Sequence, residues 1–500
     1  MRYLLGVDFG GGSSKATLID ELGNIIATAA AEYPMLYPAK GYAEQNTEDL
    51  YGAFVKNVKD IIAKSKVNPE DIVAMSFDGG THIGVLLDEN NEVIRPAIYW
   101  SDSRATEETA EIAHMREEIM EMCYNYPSPS WTLTQMMWLR KHEPENFKKI
   151  NKIIYLKDYI RFRVTGKLAT DSIEAMGALW RDERTNEWSP KLLALSGLTV
   201  DQMPEVLNPA DLAGTPLPEV CRDTGLSPKT IVAVGATDTA MEVYSSGGVN
   251  VGNTTIKLAT AGRICPITDK AYPDKQIYCY RHVIPGLWYP GTATKTCAQA
   301  NRWYRDNLCG GEVYEAAQQG QDAYVLMSAA PAEVPAGADN LFFHPYLQGE
   351  MTPYNNTKLR ASFTGISSYH TKGHFNRAVL EGVGYSLREG IVELKRLQIP
   401  MDETLRIIGG GAKAPLWRQI IADVLDTPVL RVTSDDSSIG SAMLAGVASG
   451  VFKTFEDAVN VCTKFAEIVY PNEKNVQVYN EGFKVYKEIQ AALEPIYNKL

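Results

Sequence analysis

Short apolar runs broken by glycine turns open the chain and give way to a helical spacing near residue 47. Tyr3 to Asp20 reads as strand, glycine-rich turn and strand: YLLGVDF, then GGGSSK, then ATLID. Leu22-Gly23-Asn24 marks a second turn before the strand-like run IIATAAAEY. From about Thr47 to Ser65, Leu50, Phe54, Val58, Ile61 and Ile62 fall near one helical face. The apolar runs IVAMSFD (72–78) and GVLLD (84–88) follow, joined through Gly79-Gly80-Thr81-His82. Strands and helices alternating in this way predict an α/β fold.

A second cycle occupies the other half. VNVGNTTIKLATAGRI, residues 249–264, reads strand, polar turn, strand and glycine turn, an echo of the first hairpin with low residue identity. LRIIGGG (405–411) and APLWRQIIADVL (414–425) read strand, glycine loop and helix. Between Asn480 and Leu500, the spacing of Phe483, Val485, Tyr486, Ile489, Leu493 and Ile496 suits a closing amphipathic helix. Five hundred residues exceed one core at about 150 residues per domain, so the echo is read as two domains of similar design. Their expected extents are 1–245 and 246–500, with a hinge near residue 245.

Composition narrows the class. Apolar residues at 45% and charged residues at 22% are ordinary for a soluble globular chain. A net charge of −12 argues against general attraction to nucleic acid or to anionic membranes. It leaves local phosphate binding open, because backbone N–H groups hold anions in acidic proteins too. The seven cysteines are scattered without a Cys-x-x-Cys pair, which favours reduced thiols over disulfides or zinc. With no signal-peptide pattern and no apolar run near the ~20 residues of a membrane span, a cytoplasmic location is expected.

Three glycine-bearing stretches carry candidate chemistry. In Asp8-Phe9-Gly10-Gly11-Gly12-Ser13-Ser14-Lys15, the glycines allow a tight bend whose N–H groups approach an anion. Ser13 and Ser14 offer hydroxyls, Lys15 a charge, and Asp8 a carboxylate for Mg2+; the alternative is an ordinary glycine hairpin. Asp8-Phe9-Gly10 spells the protein-kinase metal triplet but lacks the lobe that must precede it, and no P-loop pattern occurs. Gly409-Gly410-Gly411-Ala412 lies between strand and helix, either as a nucleotide contact or as tight packing. A dinucleotide site would want an acid nearer than Asp435. The third stretch, Lys257 to Gly262, places Thr260 in a small-residue bend.

One acid stands out. Ile231 to Ala240 runs as an apolar strand into Gly235 and then Asp238, at the kind of strand end where α/β proteins bind ligands. Phosphoryl transfer to an alcohol needs a carboxylate to take the hydroxyl proton, which suits Asp238; a helix N-cap is the competing role.

Taken together, these residues resemble the FGGY carbohydrate kinases, most closely the xylulose kinase group. The opening Asp8 to Lys15 matches the family motif except that Gly11 and Gly12 replace its hydroxyl pair. Ala361 to Ile366 followed by His374 to Glu381 fits the family's long second signature. Ser130 to His142 fits the first, with Gln135 where lysine is usual. Arg95 to Arg104 and Tyr346 to Pro353 look like the xylulose kinases in particular.

The resemblance implies two RNase H-like domains of the actin/hexokinase type, with ATP and Mg2+ meeting a sugar in the cleft between them. It puts the catalytic base on Asp238 and the metal on Asp8 and Asp238. Nucleotide contacts fall on Asp8, Gly10, Gly11, Gly12, Ser13, Ser14, Lys15, Thr260, Gly262, Gly409, Gly410, Gly411 and Ala412. Substrate contacts fall on Thr81, His82, Trp100, Asp102, Arg104, Asp238 and Thr239. The implied reaction is phosphorylation of a ketopentose, D-xylulose first. Gly80-Thr81-His82-Ile83 replaces the usual Gln-Met-His-Gly, and Thr239 the usual Asn, which keeps ribulose, L-xylulose, a tetrulose or a tetritol in view. A sugar-responsive regulator and a chaperone-like ATPase are the rival classes. The sequence pattern leaves the oligomeric state open, a homodimer included.

Overall fold

Tyr3–Phe9 and Ser13–Asp20, buried along most of their length, and Ile25–Glu32, whose burial alternates toward its end, form an antiparallel meander. Strand Ile72–Gly79 joins the free side of Tyr3–Phe9 in parallel, and Ile231–Ala233 lies parallel beyond it. Helix Thr47–Ser65 covers one face of the meander, its first turn capped by the Asn46 side chain on the Glu48 N–H. The computed structural model describes residues 1–500.

The second half repeats the plan. Thr254–Leu258, Gly262–Pro266 and Trp288–Thr294 form an antiparallel meander, and Leu405–Ile408 and Val429–Val432 add in parallel on the opposite side. Each half therefore carries a seven-stranded mixed sheet of matching order. The echo sits five residues later than its sequence reading. Val249 to Asn253 form a turn, and the true counterpart of the triple-glycine bend is Ala259-Thr260-Ala261. The 84–88 run departs differently: Gly84–Leu87 pairs with Lys152–Tyr155, outside the main sheet. The closing helix runs from Glu473 to Tyr497, and no helix is long and apolar enough to cross a membrane.

The two halves share their central packing. Helix Ser437–Ala448, far along the chain, lies on the first sheet. Gly6 makes this possible: a Cβ there would sit 1.8 Å from the Ser438 carbonyl oxygen and 2.5 Å from the Ala442 nitrogen. Thr17 Oγ1 meets Ser438 Oγ at 2.7 Å, and Ser441 Oγ donates to Asp78 at 2.6 Å. Helix Asp238–Ser245, just before the chain crosses to the second half, packs against the same helix.

Candidate active site

Parallel pairing aligns three acids at one sheet edge. Asp8 stands opposite Asp78, and Thr237, one residue before Asp238, stands opposite Gly79. Asp238 is thus two strands from Asp8, roughly 10 Å at the usual strand spacing. Burial pushes the Asp8 carboxyl up to about 7; the hydrogen bond it shares with Asp78 works against that, and the charges of Asp238, Asp436 and Glu242 add to it. Asp78, fully buried, is held well above the carboxylate range by burial and by the Asp8 charge. At neutral pH the pair therefore retains a proton, and Asp78 Oδ1 has no hydrogen-bond partner.

A divalent cation would relieve that pair, so these residues fit Mg2+. No group of three or more His, Cys, Asp or Glu side chains closes a metal cage. That suits Mg2+, which takes one or two carboxylates and fills its shell with water and phosphate oxygens. The sequence-based metal set of Asp8 and Asp238 missed Asp78, which ends the same kind of strand before its own glycine turn.

The first bend is turned outward by its neighbours. Tyr33 Oη donates to the carbonyls of Gly10 and Ser13 at 2.7 and 3.0 Å, and Gln45 Nε2 to those of Gly10 and Gly11, both at 3.1 Å. With the carbonyls occupied from behind, the Gly11 and Gly12 N–H groups donate to no protein acceptor. A side chain at Gly11 would collide with the Tyr99 hydroxyl, 2.8 Å from its Cβ, so the glycine answers to Tyr99. Ser13 is exposed beside the bend. Ser14 is buried, and Lys15 is ion-paired with Asp436 at the start of helix Ser437–Ala448.

Across the cleft, a cavity of about 650 Å3 is lined by Thr260, Gly410 and Gly411, with Asn301, Asn376 and Trp417. Asn376 comes from the second signature; its Nδ2 donates to the Met327 carbonyl at 2.9 Å and its Oδ1 is free. The remaining predicted contacts shape the cavity from behind. Gly409 (φ 91°) spends its N–H on Asp435 Oδ2 at 2.7 Å, Gly262 lies against Thr294 and Cys297, and Ala412 is buried.

The remaining substrate candidates divide. Asp238 heads helix Asp238–Ser245, but the capping residue is Thr237, so Asp238 does not act as the N-cap. Its Oδ1 accepts from Thr239 N at 2.5 Å and Thr239 Oγ1 at 3.2 Å, which orients the carboxylate with its other oxygen unpaired. His82 adopts φ 52°, donates its backbone N–H to Glu174 Oε2 at 2.6 Å, and stacks on Trp131 at 4.7 Å. Burial drives its imidazole down to about 3, so it is neutral, and its Nδ1 is unpartnered. Thr81 precedes it, against Gly177. Trp100 is 40% exposed beside Gly80.

Asp102 and Arg104 bond each other at 2.8 Å, Asp102 takes the Ala43 N–H, and Arg104 also reaches Glu44. With Arg104 held between the Tyr42 and Trp138 rings, both serve to fix the loop that carries Trp100. Glu242, paired with Lys257, and the nearby Arg263 were not singled out in sequence. A signal existed for the two cations, since they flank the Ala259 to Ala261 bend symmetrically.

Two α/β halves with a strand-end acid and facing glycine bends define a phosphotransferase cleft. The chain belongs to the FGGY family of carbohydrate kinases: residues 3–244 match the family's N-terminal domain and 245–449 its C-terminal domain. ATP with Mg2+ is the donor system of this family. The chain is 32% identical to a xylulose kinase of Bacillus subtilis over 493 residues, covering 98% of this chain and 97% of that one. Among solved structures it resembles a xylulose kinase from Rhodospirillum rubrum (TM-score 0.90, 26% identity, covering 99% of this chain and 100% of the other). It resembles equally a gluconate kinase from Lactobacillus acidophilus (TM-score 0.91, 25% identity, covering 100% and 99%).

Proposed function

We propose that this enzyme transfers the γ-phosphoryl group of ATP to the terminal hydroxyl of an open-chain polyhydroxylated substrate, D-xylulose to D-xylulose 5-phosphate being the leading case. The observation that carries the reading is the oriented Asp238 carboxylate at the sheet edge shared with Asp8 and Asp78. The free oxygen of Asp238 takes the hydroxyl proton as the substrate oxygen bonds to phosphorus and the bond to ADP breaks. Asp8, with Asp78 behind it, would hold Mg2+, which would supply charge neutralisation on the phosphates. The Gly11 and Gly12 N–H groups are placed to bind phosphate oxygens, and neutral His82 with Trp100 to position the sugar.

Asp238→Asn is expected to lower sugar-stimulated ADP release by about 10^2- to 10^4-fold with ATP affinity retained. Full turnover in that variant would refute the base assignment. No sugar-stimulated release from the native enzyme across a ketose and polyol panel would refute the kinase reading.

A further inference from the structure

Tyr346 to Pro353 takes no part in the reaction above, although it stands out in the sequence. It lies along the end of strand Trp288–Thr294 and bonds three consecutive residues there. Thr352 Oγ1 accepts the Ala293 N–H at 2.7 Å, Glu350 Oε2 accepts from Thr294 Oγ1 at 2.5 Å, and Glu350 Oε1 accepts the Lys295 N–H at 2.7 Å. The Met351 N–H also donates to Oε1, at 2.6 Å. Glu350 is buried and forms no ion pair, and burial pushes its carboxyl up to about 7 even against these donors. A buried carboxyl with no cation to match it is costly, and the strand end is what it holds in return.

Those bonds fix one wall of the nucleotide cavity. Thr294 pairs with Gly262, and its methyl fills the space that a side chain there would need. Beyond Lys295 the chain enters helix Ala298–Leu308, and its leading N–H groups point back at the second bend. Cys297 donates to the Thr260 carbonyl at 3.0 Å and Ala298 to the Ala259 carbonyl at 2.8 Å. With those carbonyls engaged from behind, the Thr260 and Ala261 N–H groups donate to no protein acceptor. Tyr33 and Gln45 do the same for the first bend with side chains; here backbone does it, secured by Glu350. The same helix gives Ala298, Gln299, Asn301 and Arg302 to the cavity.

We infer that Glu350 is a positioning residue for ATP, which through Thr294 and Lys295 sets the Thr260 bend and the head of helix Ala298–Leu308 against the nucleotide. The inference rests on ATP occupying that cavity and adds no chemical step.

The test measures Mg-ATP affinity by calorimetry in the full-length native enzyme, Glu350→Ala, Glu350→Gln, Thr294→Val and Glu389→Gln. ADP release gives kcat and the KM values for ATP and D-xylulose, and circular dichroism the melting temperature. Glu389 is the control: also buried, it bonds Tyr346 and Tyr354 and not the strand end. Glu350→Ala is expected to weaken Mg-ATP binding about 10- to 100-fold and to raise the ATP KM alike, with the D-xylulose KM little changed. Glu350→Gln, which keeps an acceptor oxygen, should recover most of that loss, and Thr294→Val should weaken Mg-ATP several-fold. Glu389→Gln should lower the melting temperature and leave Mg-ATP affinity as it was. If Glu350→Ala does not fold, Thr294→Val decides. Unchanged Mg-ATP affinity in the deciding variant overturns the inference, and so does an equal weakening in Glu389→Gln, which would mark general loosening. Because calorimetry reads Mg-ATP alone, a native enzyme that binds it but turns over no sugar would sink the substrate reading and leave this one standing.

Discussion

Replacing Gly6 by alanine tests whether the second half of the chain builds the first half's active edge. The added Cβ would lie 1.8 Å from the Ser438 carbonyl oxygen, 2.5 Å from the Ala442 nitrogen and 2.9 Å from the Ser438 carbonyl carbon. These are helix backbone atoms that cannot rotate away, and the shortest contact falls roughly 1.5 Å inside van der Waals distance. Helix Ser437–Ala448 must therefore retreat. Overpacking of this kind costs about 1–3 kcal/mol. The retreat also strains the Thr17–Ser438 and Ser441–Asp78 hydrogen bonds, each worth about 1 kcal/mol. A loss of about 3–5 kcal/mol is expected in urea denaturation followed by tryptophan fluorescence. Because Ser441 holds Asp78, and Asp436 at the helix start holds Lys15, kcat should fall by roughly 10^2-fold even where the variant is folded. A Gly6→Ala enzyme with an unchanged urea midpoint and unchanged kcat would show that the helix does not bear on this edge.

Asp8 has a raised folded-state pKa of about 7 against 3.8 unfolded, so its contribution to stability is present at low pH and lost as pH rises toward 7. Metal-free enzyme should denature at lower urea at pH 8 than at pH 5, with Asp8→Asn flattening the difference; equal midpoints in native enzyme would contradict the paired-acid picture. Tyr33→Phe frees the Gly10 and Ser13 carbonyls, and a several-fold rise in KM for ATP is expected from coupled assays, with the sugar KM little changed. His82 is neutral throughout the working range, so sugar affinity should show no ionisation between pH 5 and 9 that disappears in His82→Gln. Titration of the sugar by calorimetry across that range reads this directly.

Local pattern alone determined a good deal. The YLLGVDF and LRIIGGG runs are short, apolar and end at glycines, and the APLWRQIIADVL run has helical period, so strand, bend and helix were readable where they stand. Asp238 and Asp8 were visible because each ends an apolar strand at a glycine turn, and glycine's freedom of φ is a property of the residue itself. Even so, the second hairpin was read early, because the turn at Val249 to Asn253 is as apolar as the strand that follows it.

Only the tertiary structure decided which side chains are free. Lys15, Asp102 and Arg104 look like ligand contacts in a linear motif, yet each is matched by a charge that the fold brings in, Lys15 by Asp436 from the far end of the chain. Asp78 gains its place because parallel pairing sets it against Asp8. Residue type and spacing fix which groups can bind; electrostatic matching across long sequence separations fixes which of them remain to do so.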